Sequence, residues 1–210
     1  YRDQVKNNPR LVAPSMFDGT RIEKIAQGEA LTRDLINTPT NNMGPLELEK
    51  SIRSLAGLHG ASFKTICGEH LLEKNFPMIH TVGRASAELP RLIELVWGEH
   101  GPTLTLVGKG VCFDTGGLNI KPGSSMSLMK KDMGGAATVI GLAHMIMALN
   151  LPLRLRVLVP AVENSIASSA FRPQDILTSR KGLTVEVNNT DAEGRLILAD
   201  ALAYADEDLS

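Results

Sequence analysis

Aromatic residues make up only 4 % of this 210-residue chain, which argues against a platform of stacking rings for single-stranded nucleic acid. Cysteine is nearly absent. Cys67 and Cys112 stand alone, neither in a C-x-x-C pair, so no thiolate zinc site or redox motif is written here. Two small apolar residues in a reducing cytoplasm are the expectation. An excess of one charge is also missing: 22 Lys and Arg face 23 Asp and Glu, a net charge of −1. That gives no global field for nucleic acid or an anionic membrane, and neither partner is expected. No apolar run is long enough to span a bilayer. No secretory leader is visible, and the opening at Tyr1 rather than Met suggests that an N-terminal piece is absent. Repeats and low-complexity tracts are lacking. What remains is a hydrophobic fraction of 43 %, ordinary for a globular protein of one large or two small domains.

The pattern along the chain alternates helix and strand. Residues 1–18 read as an irregular lead-in. From Gly19 to Leu35 the pattern is helical, with Ile22, Ile25, Ala26, Ala30 and Leu31 on one face. Asn37 to Asn42 breaks it, and Pro45, a preferred first-turn residue, opens a second helix to about Leu58. Ala61–Ile66 is a candidate strand and Glu69–Lys74 a short helix. Leu92–Trp97 and Leu104–Val107 read as neighbouring strands. The glycines between Val107 and Gly117 read as too dense for regular structure. A helix is expected from Gly134 to Leu149, a strand from Leu153 ending at Pro160, a loop from Ser165 to Gln174, and a last strand from Leu183 to Val187. This order points to an α/β fold: a mixed, mostly parallel sheet with helices on both faces. Residues 1–45 read as a linker and connecting helix, and 46–210 as the main domain.

The densest stretch is Val187-Asn188-Asn189-Thr190-Asp191-Ala192-Glu193-Gly194-Arg195-Leu196, between that last strand and a helical run to Ala205. Residues two apart face the same way in extended chain, so Asp191 and Glu193 converge if the turn stays open, with Gly194 supplying the bend. Open α/β sheets hold ligands at the C-terminal ends of their strands, which suggests a cation site. The plainer alternative is a capped turn, with Asp191 as N-cap and Glu193 solvated. Asp114 and Asp132 lie in the other glycine-rich loops. Four carboxylates in one cleft repel one another unless cations neutralise them, and four negative charges suit two divalent ions. Oxygen ligands accept Mn, Mg or Zn alike. A phosphate-loop reading of Gly108-Lys109-Gly110 fails, because the four-residue spacer and the Lys-Ser/Thr ending are missing. His144 reads as a packed or interface histidine. His59, His70, His80 and His100 show no paired metal spacing. Cys112 reads as packing. Glu163 and Asn164 either support the metal shell from outside or close a loop.

Four blocks then carry a resemblance. They are Val107-Gly108-Lys109-Gly110 with Phe113-Asp114-Thr115-Gly116-Gly117; Ile120-Lys121-Pro122; Leu128-Met129-Lys130-Lys131-Asp132-Met133-Gly134-Gly135; and Asn189-Thr190-Asp191-Ala192-Glu193-Gly194-Arg195-Leu196. In this order and spacing the chain resembles the leucyl aminopeptidase (cytosol aminopeptidase) family of di-metal exopeptidases, as a fragment: the linker and the first part of the catalytic domain. The resemblance implies that Lys109, Asp114, Asp132, Asp191 and Glu193 ligate two divalent ions, Mn²⁺ or Zn²⁺, with Asp114 and Glu193 bridging them and Lys109 binding as a neutral amine. It implies that Lys121 polarises the scissile carbonyl, that Arg195 stabilises the intermediate or holds a bicarbonate, and that Met129 and Asn189 line the substrate site. It further implies a cytoplasmic homohexamer acting on peptides with a free N-terminus, leucine-like residues preferred. The alternative from another class is a non-catalytic family fragment that serves as a binding or assembly module.

Overall fold

The computed structural model describes residues 12–207. The first part of the lead-in, residues 1–11, lies outside them. Helix α1 (Gly19–Asn37) starts where the Asp18 carboxylate accepts the Arg21 N–H at 3.0 Å. It stops because Thr38 precedes Pro39 and is held extended. The face it buries differs from the expected one. Ile22 and Ile25 stay 53 % and 40 % exposed, and Ala26 and Ala30 are exposed too. Of the expected face Leu31 alone packs inward, together with Gly28, Thr32 and Leu35. The cause is a close crossing with α6 (Gly134–Ala148) at Gly28 and Gly141, where Thr32 Oγ1 donates to both Gly28 O and Ala137 O. Helix α2 (Pro45–His59) begins at its proline and ends on Gly60, in the left-handed region at φ +65°.

The main sheet begins with β1 (Ser62–Cys67), which pairs antiparallel with β2 (Arg91–Trp97). Two short helices lie between them, α3 (His70–Glu73) and α4 (Pro77–Gly83), the latter not foreseen from the sequence. Contrary to the neighbouring pair that the sequence pattern suggests, β3 (Thr103–Val107) does not lie beside β2. The long strand β5 (Arg154–Asn164) inserts between them, antiparallel to β2 and parallel to β3. The glycine-dense segment is also more regular than expected. Gly110–Asp114 forms β4, parallel to the second half of β5, with an irregularity in register between Val111 and Phe113. β3 and β4 therefore share one edge of β5 in succession, interrupted at Gly108 and Lys109. Pro160 does not end β5. It falls between Leu158, the last residue paired with β3, and Ala161, the first paired with β4, so its missing N–H coincides with the break.

Side-chain parity along the strands divides the core. Ile93, Leu95, Val157, Val159 and Ala161 pack against α1, α2 and α6, together with Leu35, Ile52, Ile140 and Met147. Leu92, Val111 and Val162 pack against the other side, where Phe76, Val82 and Ile197 meet. Helices thus cover both faces, with α4 and the helix α7 (Glu193–Glu207) on the second. Cys112 is fully buried in the first core, and burial pushes its thiol well above its ordinary pKa. The loop from Ser165 to Gln174 is irregular. The expected last strand is reduced to β7 (Thr184–Glu186), which pairs only with β6 (Ile176–Thr178) in a separate two-stranded ribbon. No helix among the described residues is long and apolar enough to cross a membrane.

Candidate metal centre

Strands β3, β4 and β5 run parallel, and their C-terminal ends deliver the charged side chains to one place, as open α/β sheets do. Lys109 sits in the gap between β3 and β4. Its backbone is fixed there because its carbonyl accepts the Ala136 N–H, in the first turn of α6, at 2.8 Å. Asp114 is the last residue of β4 and is buried. The following loop turns at Gly116, φ +88°, where an added Cβ would stand 2.3 Å from the Asn119 carbonyl. That turn returns Lys121 to the strand end, with its N–H on the Thr115 carbonyl at 2.9 Å. After the one-turn helix α5 (Gly123–Met126), Asp132 rides on a 3-10 turn, Met129–Met133, just before α6. A second 3-10 turn, Thr190–Ala192, carries Asp191, and Glu193 opens α7.

Asp191 and Glu193 converge, but not through extended chain. The turn and the first residue of the helix bring them round, and Gly194 lies inside the helix rather than bending the chain. The capping role belongs to Asn189, whose Oδ1 accepts the Asp191 N–H at 2.8 Å. Glu193 is 1 % exposed, not solvated. One carboxylate oxygen from each of Asp114, Asp191 and Glu193 lies within 4.8 Å of the others. Asp132 joins this cluster through Lys109, whose Nζ stands 2.7 Å from Asp132 Oδ2 and 2.9 Å from Glu193 Oε1. Lys121 Nζ lies 3.0 Å from Asp114 Oδ2 and also contacts Asp191 Oδ1.

The two ammonium groups thus each bridge a pair of carboxylates. Burial alone would lower the pKa of Lys109, but the bonds to Asp132 and Glu193 outweigh it and hold the amine above its ordinary value. Lys121 is raised in the same way, burial being overcome by Asp191 and Asp114. For Asp114, burial is outweighed by the Gly116 N–H, Lys121 and Asn164, and its carboxyl is lowered. Glu193 goes the other way: burial, with the nearby Asp114 charge, raises it despite Lys109. Four carboxylates against two ammonium groups leave the cleft two negative charges in excess. Glu193 Oε2 is buried with no hydrogen-bond partner, and Oε1 meets only the Lys109 ammonium. A buried carboxylate in that condition is costly unless a cation meets it, so the donor set suits hard divalent ions.

The remaining expected residues are nearby with looser ties. Met129 begins the turn that holds Asp132 and is half-buried. Asn189 also accepts from Asn119 Nδ2 at 2.7 Å. Arg195 is exposed on the first turn of α7, and among the described residues no hydrogen bond or ion pair holds it. Sequence reasoning missed Thr190, which is fully buried. Its hydroxyl donates to the Gly116 carbonyl at 2.6 Å and accepts the Asn119 N–H at 2.9 Å, locking the Asp114 loop to the Asp191 turn. Its place beside Asp191 was the available signal.

The chain is similar to known proteins in sequence and in fold. Residues 30–210 match the family model described as the cytosol aminopeptidase family, catalytic domain. The chain is 50 % identical over 188 residues to a probable cytosol aminopeptidase of Syntrophotalea carbinolica, covering 88 % of this chain and 38 % of that protein. A probable cytosol aminopeptidase of Corynebacterium glutamicum is 42 % identical over 186 residues, covering 88 % and 37 %. Among solved structures, the cytosol aminopeptidase of Coxiella burnetii superposes with a TM-score of 0.88 at 52 % identity, over 90 % of this chain and 41 % of that one. The leucyl aminopeptidase of Trypanosoma brucei, solved in complex with bestatin, superposes with a TM-score of 0.88 at 36 % identity, over 92 % and 38 %. The chain therefore spans well under half the length of these relatives. With its carboxylates and lysines gathered at the ends of β3, β4 and β5, and with this match over most of its length, the chain belongs to the cytosol aminopeptidase family.

Proposed function

We propose that this chain carries the metal centre of an aminopeptidase that removes the N-terminal residue, leucine-like by preference, from peptides. The observation that carries the reading is the convergence of Asp114, Asp191 and Glu193 with the Lys109–Asp132 pair. Lys109, Asp114, Asp132, Asp191 and Glu193 would hold two divalent ions, Mn²⁺ or Zn²⁺, Lys109 only after giving up the proton that now pairs it with Asp132 and Glu193. Such ions, when bound, supply Lewis acidity at a carbonyl and activate a water. Lys121 keeps its proton and donates to the carbonyl oxygen as negative charge develops there. Arg195, exposed beside Glu193, is free to hold an anion such as bicarbonate or to meet the same developing charge. Asn189, fixed by the Asp191 N–H, and Met129, beside Asp132, border the place where a peptide would lie. The catalytic part is taken as residues 46–210, with the preceding segment as connector. A cytoplasmic homohexamer is the assembly that the resemblance implies.

The test begins with metal counting. The chain is stripped with chelator, loaded with Mn²⁺ or Zn²⁺ and freed of excess, with Asp191→Asn alongside. Two ions per chain, fewer in the variant, and release of the amine product from a leucine anilide are expected. A folded chain that takes up no metal sinks the reading. Full metal loading without hydrolysis favours the binding or assembly module.

A further inference from the structure

We propose that Asn164 is the positioning residue of the metal centre, the side chain that sets Asp114 and the Asp191 turn relative to each other. The inference rests on the metal-centre reading above. Asn164 ends β5 directly opposite Asp114, the end of β4, and is 1 % exposed. Its Nδ2 donates to Asp114 Oδ1 at 2.8 Å and to the Thr190 carbonyl at 3.0 Å. Both acceptors are oxygens without a hydrogen, so only the amide nitrogen fits there, and the orientation of the group is fixed by its partners. Both amide hydrogens are used. One reaches a proposed ligand, the other the peptide that leads into Asp191 and, three residues on, Glu193. The backbone carbonyl of Asn164 also accepts the Thr115 N–H at 3.0 Å and hydroxyl at 2.9 Å, which ties down the loop after Asp114.

The consequence for Asp114 is specific. Its Oδ1 receives Asn164 Nδ2 and the Gly116 N–H, each at 2.8 Å, so that oxygen has no capacity left. Oδ2, facing Lys121 at 3.0 Å, is the atom left for a cation. A carboxylate locked this way presents one defined oxygen instead of rotating. Asparagine is the residue the position calls for. Aspartate would add a further negative charge against Asp114, and leucine would offer no donor. Asn164 Oδ1 is itself buried without a partner. A group left unsatisfied in the core costs stability, so the residue is better explained by orientation of the site than by the fold. Its neighbour Glu163 takes no part. Its carboxylate accepts from Ser86 Oγ at 2.9 Å, away from the ligands.

The test is a competition titration of Zn²⁺ or Mn²⁺ against a chelating dye, on chelator-stripped chains whose fold and melting are followed by circular dichroism. The variants are Asn164→Asp, nearly isosteric, Asn164→Ala and, as neighbour control, Glu163→Gln, with Asp191→Asn as the loss standard. The expected result is a roughly 10- to 100-fold weaker metal affinity for both Asn164 variants, the range for partners that orient ligands. The metal-free fold should be retained and Glu163→Gln should bind like the parent. Parental affinity in the Asn164 variants, while Asp191→Asn loses metal, overturns the positioning role and leaves the metal centre standing. An equal loss in Glu163→Gln, or Asn164 variants that both fail to fold, assigns the residue to the architecture of the strand end and overturns it as well. A parent that binds no metal removes both readings.

Discussion

Gly194 lies directly beneath the Lys109 side chain. A Cβ at position 194 would stand 2.5 Å from Lys109 Cε and 3.0 Å from Nζ. The glycine sits in α7 without an unusual backbone angle, so its role is to leave room for the lysine that reaches Asp132 and Glu193. Gly194→Ala should therefore separate stability from metal binding. The obstructed atoms are the far end of a flexible chain, which can swing away. Alanine in a helix is favoured over glycine by about 1 kcal/mol. In the metal-free protein that gain is offset by the lost Lys109 bonds to Asp132 and Glu193, so the melting temperature should change little or fall by a few degrees, while metal affinity falls by an order of magnitude or more, because Lys109 can no longer reach its place. Calorimetric titration alongside a thermal melt reads both. Unchanged affinity would show that Lys109 is dispensable for the centre.

A second prediction concerns the contact between α2 and α6. His59, the last residue of α2, and His144, on α6, place Nε2 and Nδ1 3.0 Å apart, one donating to the other. His144 also borders a groove of about 370 Å³ walled by Leu31, Leu55 and Leu58. Burial lowers the pKa of both, and for His59 the neighbouring His144 lowers it further. The sign follows from linkage. Above the ordinary value of 6.5 both rings are neutral in the folded and unfolded chain, and the pair contributes its full stability. As the pH falls below that value the unfolded chain takes up protons first, and stability is lost until the folded values are passed. Glu163 and Asp200, both raised by burial, slope the opposite way at lower pH, so the difference between two proteins must be measured. The melting temperature of the parent minus that of His144→Leu should shrink between pH 7 and pH 5. Parallel curves would mean that the pair does not titrate in this range.

Much of the site was legible because the chemistry is carried by short blocks with unusual residues. Asp114, Asp132, Asp191 and Glu193 were picked out by charge in glycine-rich loops. Lys109 was recognised only through the family resemblance, since spacing alone makes it a counter-charge. Asn164 was seen only as one of two options, because its partner Asp114 is 50 residues away and the pairing of β4 with β5 was not readable. The elements with clean patterns, such as α2 and α6, were found nearly to the residue. The failures were tertiary. Glycine density hid β4, whose strand is imposed by the edge of β5. Pro160 looked like a terminator, yet it coincides with the break between β3 and β4. The α1 face was misassigned because periodicity weights Ile22 and Ile25, whereas the contact is decided by the absence of side chains at Gly28 and Gly141.

That crossing yields the last prediction. A Cβ on Gly141 would lie 2.0 Å from Thr32 Oγ1 and 2.6 Å from the Gly28 carbonyl. The hydroxyl could rotate away only by giving up its bonds to Gly28 O and Ala137 O, and the carbonyl is backbone. Overpacking of this kind costs about 1–3 kcal/mol, against a helix-propensity gain of about 1 kcal/mol for replacing glycine. Gly141→Ala should therefore lower the melting temperature. Gly57, in α2, meets nothing within 4 Å of an added Cβ, so Gly57→Ala receives the propensity gain without the clash and should raise it. Two identical substitutions in two helices of one chain should thus move stability in opposite directions. The metal ligands lie on other elements, so the folded Gly141→Ala protein should bind metal like the parent. A destabilised but metal-competent variant would assign the α1–α6 contact to the fold alone. Equal shifts for the two alanines would show that the helices slide apart at no cost and that the close crossing is not what holds α1 in place.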